Sequence, residues 1–315
     1  MQFARQSERP RRRREPPVSG DVENEFAVVA ARFSALWTAL AQASGEDRRL
    51  MIDRLRDALD RGHSRLAAEP PHLVANSFSV DEVVYASERT MVMKVRHRDL
   101  GTTHALKTLP PDRRNDVVLR QGLLHEGRLA GALENPNIVA VRATLRLADG
   151  RPALLSDWMP ATLARLGERS FTAAEITGLM RSLFSALGHL HAEGIVHGDI
   201  SPANLLFADE DCRCLKICDF GLALRQGERH EDLDMARGAH PEFAAPEQLG
   251  GARPEPRSDL YACGRILHEL VERSDAAGVE LLKLSALAEQ LMQPDPADRP
   301  DDTMAAAALL EDLCR

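Results

Sequence analysis

The spacing of apolar residues changes along this chain, and each change marks a different kind of element. From Val22 to Ala43 they recur at helical intervals (Phe26, Val29, Phe33, Leu36, Leu40), and from Asp47 to Ala68 they do so again (Leu50, Leu55, Leu59, Leu66). Gly45 separates these two stretches and Pro70-Pro71 ends the second, so a helical pair is predicted. Between Phe78 and Leu109 the pattern shifts to short alternating runs: Val80 to Tyr85, Met91 to Val95, and His104 to Leu109 after a turn at Gly101. Three antiparallel strands fit this best. Asp112 to Leu133 returns to helical spacing, with Val117, Leu123, Leu124, Ala130 and Leu133 on the expected buried side. A further strand is read over Arg151 to Met159. Beyond it the periodicity is helical, clearest over Thr172 to His191, where Ile176, Leu179, Met180, Leu183, Leu187 and Leu190 share a face.

Composition narrows the picture without changing it. With 315 residues and 44% hydrophobic content, the chain can bury a large core. No run of 18 apolar residues occurs, and the Arg-rich start has no apolar segment after it, so neither a membrane span nor a secretory signal is expected. A cytoplasmic location is the default expectation, with export by a non-classical route left open. Residues 1–20 carry six Arg against Glu8 and Glu15, together with Pro10, Pro16 and Pro17, the composition of a disordered basic tail. The net charge of −8 argues against a nucleic-acid face over the whole body. Five cysteines are too few for a disulfide framework, and Cys212, Cys214 and Cys218 lack zinc-site spacing and histidine partners. Only four lysines occur (94, 107, 216, 283), so each is informative.

Candidate chemistry is concentrated in two loops. His197-Gly198-Asp199-Ile200-Ser201-Pro202-Ala203-Asn204 is followed, fifteen residues after Asn204, by Asp219-Phe220-Gly221. An Asp with an Asn five residues on can set a carboxylate beside a hydroxyl and an amide oxygen on a metal, while a second Asp supplies the hard oxygen Mg²⁺ prefers. These stretches resemble the catalytic loop and metal-binding triplet of protein kinases. Lys107, Glu126 nineteen residues later, Ala245-Pro246-Glu247, Asp259 and Arg299 also stand in that family's order. The resemblance covers about residues 78 to 313. It implies an α+β, bilobal fold: a small antiparallel β lobe with one helix (78–157), a larger mostly helical lobe (158–315), and in front of both the helical extension (21–72). That extension packs on the domain behind it or docks a protein partner.

The resemblance further implies a protein kinase, Ser/Thr-directed, using ATP and Mg²⁺ on a protein substrate. Asp199 would be the catalytic acceptor, Lys107 the phosphate grip held by Glu126, and Asn204 and Asp219 the metal ligands. Val84, Val92, Ala105 and Leu206 would sandwich adenine, with the backbone from Asp157 to Met159 at its edge. Glu247 is expected to pair with Arg299, and Asp259 to lie beneath His197-Gly198. Departures from the family pattern shape the alternatives. Val84 to Val92 contains no glycine where G-x-G-x-x-G is usual, Gly198 replaces an Arg, and Ser201 replaces a Lys. His240 replaces a Thr, and is read either as a partial substitute for that Lys or as a plain turn residue. No Ser, Thr or Tyr lies between Asp219 and Glu247, so activation is expected not to depend on phosphorylating this segment. A pseudokinase scaffold and, with less support, a small-molecule phosphotransferase are the competing readings.

Overall fold

The structure, a computed structural model, describes residues 73–74 and 77–313, except 168, 210, 226–227, 229–239 and 275–277, together with the isolated positions 35, 38 and 42. The basic tail and the helical pair expected over residues 1–72 lie outside the described residues, those isolated positions apart. Among the described residues no helix is long and apolar enough to cross a membrane.

The small lobe is a six-stranded antiparallel sheet. Strands β1 (Leu73–Val74), β2 (Phe78–Ala86), β3 (Met91–His97), β4 (Thr103–Thr108), β5 (Val141–Arg146) and β6 (Pro152–Asp157) lie in the order β1-β2-β3-β4-β6-β5. Directly paired residues share a face, so the registers Val92↔Lys107, Lys94↔Ala105 and Met93↔Leu106 sort the side chains. Met93, Val95 and Leu106 join Phe78, Leu147, Ala153 and Leu155 in a core on one side. Val92, Lys94, Ala105 and Lys107 therefore point to the other. Helix α1 (Val117–Ala130) covers part of that second face, where Leu109, Leu123 and Leu154 pack together.

Helix α1 departs from expectation in two ways. It begins at Val117 rather than Asp112, because the carboxylate of Asp116 caps it, accepting the Leu119 N–H at 3.1 Å. The buried face agrees with expectation at Leu123, Ala130 and Leu133 but not at Val117 and Leu124. Val117 is 62% and Leu124 37% exposed, whereas Leu123, His125, Glu126, Gly127, Leu129 and Ala130 are buried. The inward face thus carries Glu126, paired with Lys107 of the sheet, beside Leu123, Leu129 and Ala130.

In the large lobe, α2 (Ala173–Ala192) begins at a capping box in which the Thr172 hydroxyl accepts from Glu175 N–H and the Glu175 carboxylate from Thr172 N–H. All six apolar residues expected on its inner face are buried. They pack with α4 (Pro256–Glu272), α5 (Val279–Leu291) and α6 (Thr303–Leu313) in the main core, and a short helix α3 (Pro246–Leu249) precedes α4. Small β elements on top of this core carry the two loops. Strand β7 (Ala161–Thr162) joins β9 (Leu205–Phe207) and β10 (Leu215–Ile217), while β8 (Ile195–Val196) pairs with β11 (Leu224–Arg225).

Arg299 is the polar hub of this lobe, with no exposed side-chain surface. Its guanidinium donates to both Glu247 oxygens at 2.8 and 2.9 Å, and to the carbonyls of Gln293, Arg257 and Pro294. The two lobes are clasped behind the cleft, where Val139 N–H donates to Ile217 O at 2.9 Å and Ile217 N–H to Asn137 O at 2.8 Å. At the mouth Arg165 donates to the Val84 carbonyl at 3.0 Å, and the Lys94 ammonium stands 4.8 Å from the Trp158 ring centre.

Candidate active site

Lys107 extends from β4 on the face that meets α1, and its ammonium lies 2.8 Å from both Glu126 oxygens and 2.7 Å from Asp219 Oδ1. The Lys107 and Glu126 side chains are 16% and 7% exposed. That of Asp219 is 41% exposed, so this carboxylate opens to solvent while the other closes the back of the site. Asp219 adopts φ +64°, the left-handed region, which Asp tolerates better than most residues. Its Oδ1 also accepts the Gly221 N–H at 3.1 Å. A Cβ at position 221 would stand 3.0 Å from that same oxygen, so a larger residue there would push the Asp219 carboxylate by a few tenths of an ångström.

Burial drives the electrostatics. It works to lower the Lys107 pKa, but Asp219 and Glu126 more than offset it and hold the ammonium above the ordinary lysine range. Burial pushes Glu126 up to about 7 against the pull of Lys107. For Asp219 burial also acts upward, yet Lys107 prevails and keeps it below the usual carboxylate range. Lys107 thus stands between one carboxylate held low and one pushed up by burial.

The second group of candidates gathers in the loop between β8 and β9. Asn204 donates through Nδ2 to the Asp199 carbonyl at 2.8 Å and to Asp199 Oδ2 at 3.1 Å. Asp199 Oδ1 accepts the His240 N–H at 2.9 Å. Burial raises the Asp199 pKa above its usual range despite these donors. Beneath the loop, Asp259 accepts the His197 N–H at 2.9 Å, the Gly198 N–H at 2.8 Å, and a contact from His191 Nε2 at 2.9 Å. Burial works against ionising Asp259, but His191 and the other donors hold its pKa low, so a fixed negative charge underlies the loop. The two loops meet at Cys218, whose N–H donates to Asn204 O at 3.0 Å and whose carbonyl lies 3.1 Å from His197 Nε2.

The remaining sequence candidates fall around the cleft. Val92 and Ala105 share the Lys107 face, and Val84, Val92, Ala105, Leu206, Asp157 and Met159 are all half-buried. Val84 sits at a register shift in β2, and Asp157 is held by Arg142 through two contacts at 2.7 and 2.6 Å. Asn204 and Asp219 fit Mg²⁺, which keeps much of its water and takes one or two carboxylates beside ligand phosphates. No cluster of three His, Cys, Asp or Glu side chains suited to a metal exists among the described residues.

Two features went unread in the sequence. The glycine-free turn closes on itself: Ser87 Oγ accepts the Arg89 and Thr90 N–H groups at 3.3 and 3.1 Å, and Ser87 N–H donates to Thr90 O at 2.9 Å. Gln248 bridges from α3 to the Asp199 loop, donating to Gly198 O at 3.0 Å. His240 contacts Asp199 through its backbone, while its ring lies 5.2 Å from that of Phe243.

A family model described as protein kinase domain matches residues 87–280. The serine/threonine-protein kinase PknJ of Mycobacterium tuberculosis is 30% identical over 253 residues, covering 76% of this chain and 42% of PknJ. Cyclin-dependent kinase 20 of Danio rerio is 29% identical over 223 residues, 67% of this chain and 64% of that protein. The first relatives are longer proteins, of which this chain spans 42% or less. In overall fold it is similar to the M. tuberculosis PknI kinase domain (TM-score 0.57, 20% identity), with 78% of this chain and 100% of that one covered.

Proposed function

The chain belongs to the protein kinase domain family, and from that premise we propose that it transfers the γ-phosphate of ATP to a Ser or Thr hydroxyl of a protein, with Mg²⁺. The catalytic unit is residues 78–315, lobes meeting near 157. One observation carries this: Lys107 from the small lobe lies within 2.8 Å of Glu126 and of Asp219 from the large lobe, so the cation stands beside the carboxylate proposed to hold metal. When bound, ATP supplies the phosphoryl group and Mg²⁺ neutralises its developing charge. Lys107 positions the phosphates, fixed by Glu126, while Asn204 and Asp219 hold metal. Asp199 orients the incoming hydroxyl and accepts its proton. Val84, Val92, Ala105 and Leu206 enclose the base beside the Asp157-to-Met159 backbone.

The test is transfer of label from γ-labelled ATP with Mg²⁺ and generic protein substrates, beside Lys107→Ala and Asp219→Asn. Loss of transfer in both variants is expected, with no phosphorylated residue between 219 and 247 on the active protein. A second reading, a scaffold without turnover, is favoured by the hairpin amides that Ser87 occupies. Nucleotide binding with no transfer to any substrate would select it. The same hairpin makes a prediction of its own. Ser87→Gly frees the Arg89 and Thr90 N–H groups and, under the proposed function, is expected to lower KM for ATP by about two- to tenfold, the net worth of one or two hydrogen bonds. An unchanged or higher KM refutes it.

The Glu126 titration also has a kinetic consequence. The ion pair with Lys107 is complete only when Glu126 is ionised, so kcat/KM rises with pH through about 7. The sign for stability is opposite. A folded pKa raised from 4.5 to about 7 favours the fold fully below 4.5, and that contribution is lost as pH rises through 7. Glu126→Gln is expected to have lower activity and no step near 7 in its pH–rate profile. A step that survives in the variant belongs to another group.

A further inference from the structure

We infer that Gln248 is a positioning residue, setting the backbone beneath Asp199 so that the catalytic loop is formed without a phosphorylated segment. The inference rests on the kinase reading above and deepens it. Where the family's usual Arg would reach a phosphate, this chain has Gly198, with no side chain and φ +75°. An added Cβ there would meet Leu222 O at 3.3 Å and Pro254 Cγ at 3.5 Å, so the backbone runs close to its neighbours.

Control of this backbone comes from outside it. The Gly198 N–H donates to Asp259 Oδ1 at 2.8 Å, and the Gly198 carbonyl accepts from Gln248 Nε2 at 3.0 Å. That carbonyl belongs to the peptide leading into Asp199, whose N–H contacts His197 Nδ1 at 3.3 Å. The peptide is thus held at both its polar ends, and its plane fixes where the Asp199 side chain departs. With χ freedom already restrained by Asn204 and by the His240 N–H, few torsions remain to place the carboxylate.

Gln248 itself is well anchored. Its Oε1 accepts the Ala245 N–H at 3.1 Å, so a single amide spans the end of the 219–247 segment and the catalytic loop. The preceding Glu247 is locked by Arg299 and by the Ser258 hydroxyl at 2.9 Å. A neutral amide provides this link at any phosphorylation state. Its donor and acceptor ends are both used, and a carboxylate could supply only the acceptor.

The experiment compares wild type, Gln248→Glu and Gln248→Ala for kcat, KM for ATP and melting temperature. Gln248→Glu keeps the size and the acceptor for Ala245, but turns an oxygen toward the Gly198 carbonyl. Both variants are expected to lose about ten- to a hundredfold in kcat, as misplaced catalytic groups do, with KM for ATP changed less than about twofold and melting temperature unchanged. Activity of both within about twofold of wild type overturns the inference, as does a fall in kcat that tracks a raised KM and a lowered melting temperature. A wild type that transfers no phosphate overturns the kinase reading and this inference with it. An active wild type with unaffected variants overturns this inference alone.

Discussion

Asp199→Asn is expected to lower kcat by about 10² to 10⁴-fold, the range associated with losing a positioned proton acceptor. Nucleotide affinity should hardly move, since Lys107 and Asp219 are untouched. The substitution preserves shape, but the new amide faces the His240 N–H on one side and Asn204 Nδ2 on the other. Both are donors, and only one can be satisfied by the remaining oxygen. The variant therefore loses the base and strains the loop that held it. Single-turnover kinetics at saturating nucleotide separate the chemical step from binding, and a rate within about tenfold of wild type removes Asp199 from the role proposed.

Arg299→Met is expected to cost about 3–5 kcal/mol of stability, the usual consequence of removing one partner from a buried ion pair. For a domain of this size that is a fall of about 6–20 °C in melting temperature. Glu247 and three backbone carbonyls would lose their donor together. Arg299→Lys should fare little better, because one ammonium cannot replace a planar fork that meets five acceptors. The pair also has a pH signature. Burial opposes ionisation of Glu247, but Arg299 and Ser258 hold its pKa below the ordinary glutamate range. Its stabilisation is therefore full above about 4.5 and is lost as pH falls through the folded pKa. Thermal unfolding of Arg299→Lys at neutral pH decides the matter, and a melting point equal to wild type would contradict it.

Much of this arrangement is legible in the chain because chemistry and periodicity coincide there. The inner face of α2 follows from uninterrupted apolar spacing, and the Glu247–Arg299 and Asp259–loop contacts fall where motif order places them. Helix α1 resists such reading. A buried Glu126 and His125 replace apolar residues on the inner face, while Val117 and Leu124 lie outside. Periodicity counts apolar residues, and an ion pair on the inner face of a helix is invisible to that count. The start of α1 at Asp116 was signalled by a capping residue, which the spacing alone overran. Gln248 and Ser87 left no signal, because neutral side chains acting on backbone groups have no characteristic spacing.

The turn at Ser87 bears on the end of the reaction as much as on its beginning. Contacts that would grip substrate and product alike do not speed the chemical step; they only deepen both wells. With the Arg89 and Thr90 N–H groups spent on the Ser87 hydroxyl, the hairpin of the proposed kinase is expected to forgo that grip on nucleotide. On that reading product release is expected not to limit turnover, so pre-steady-state kinetics should show no burst of phosphorylated product.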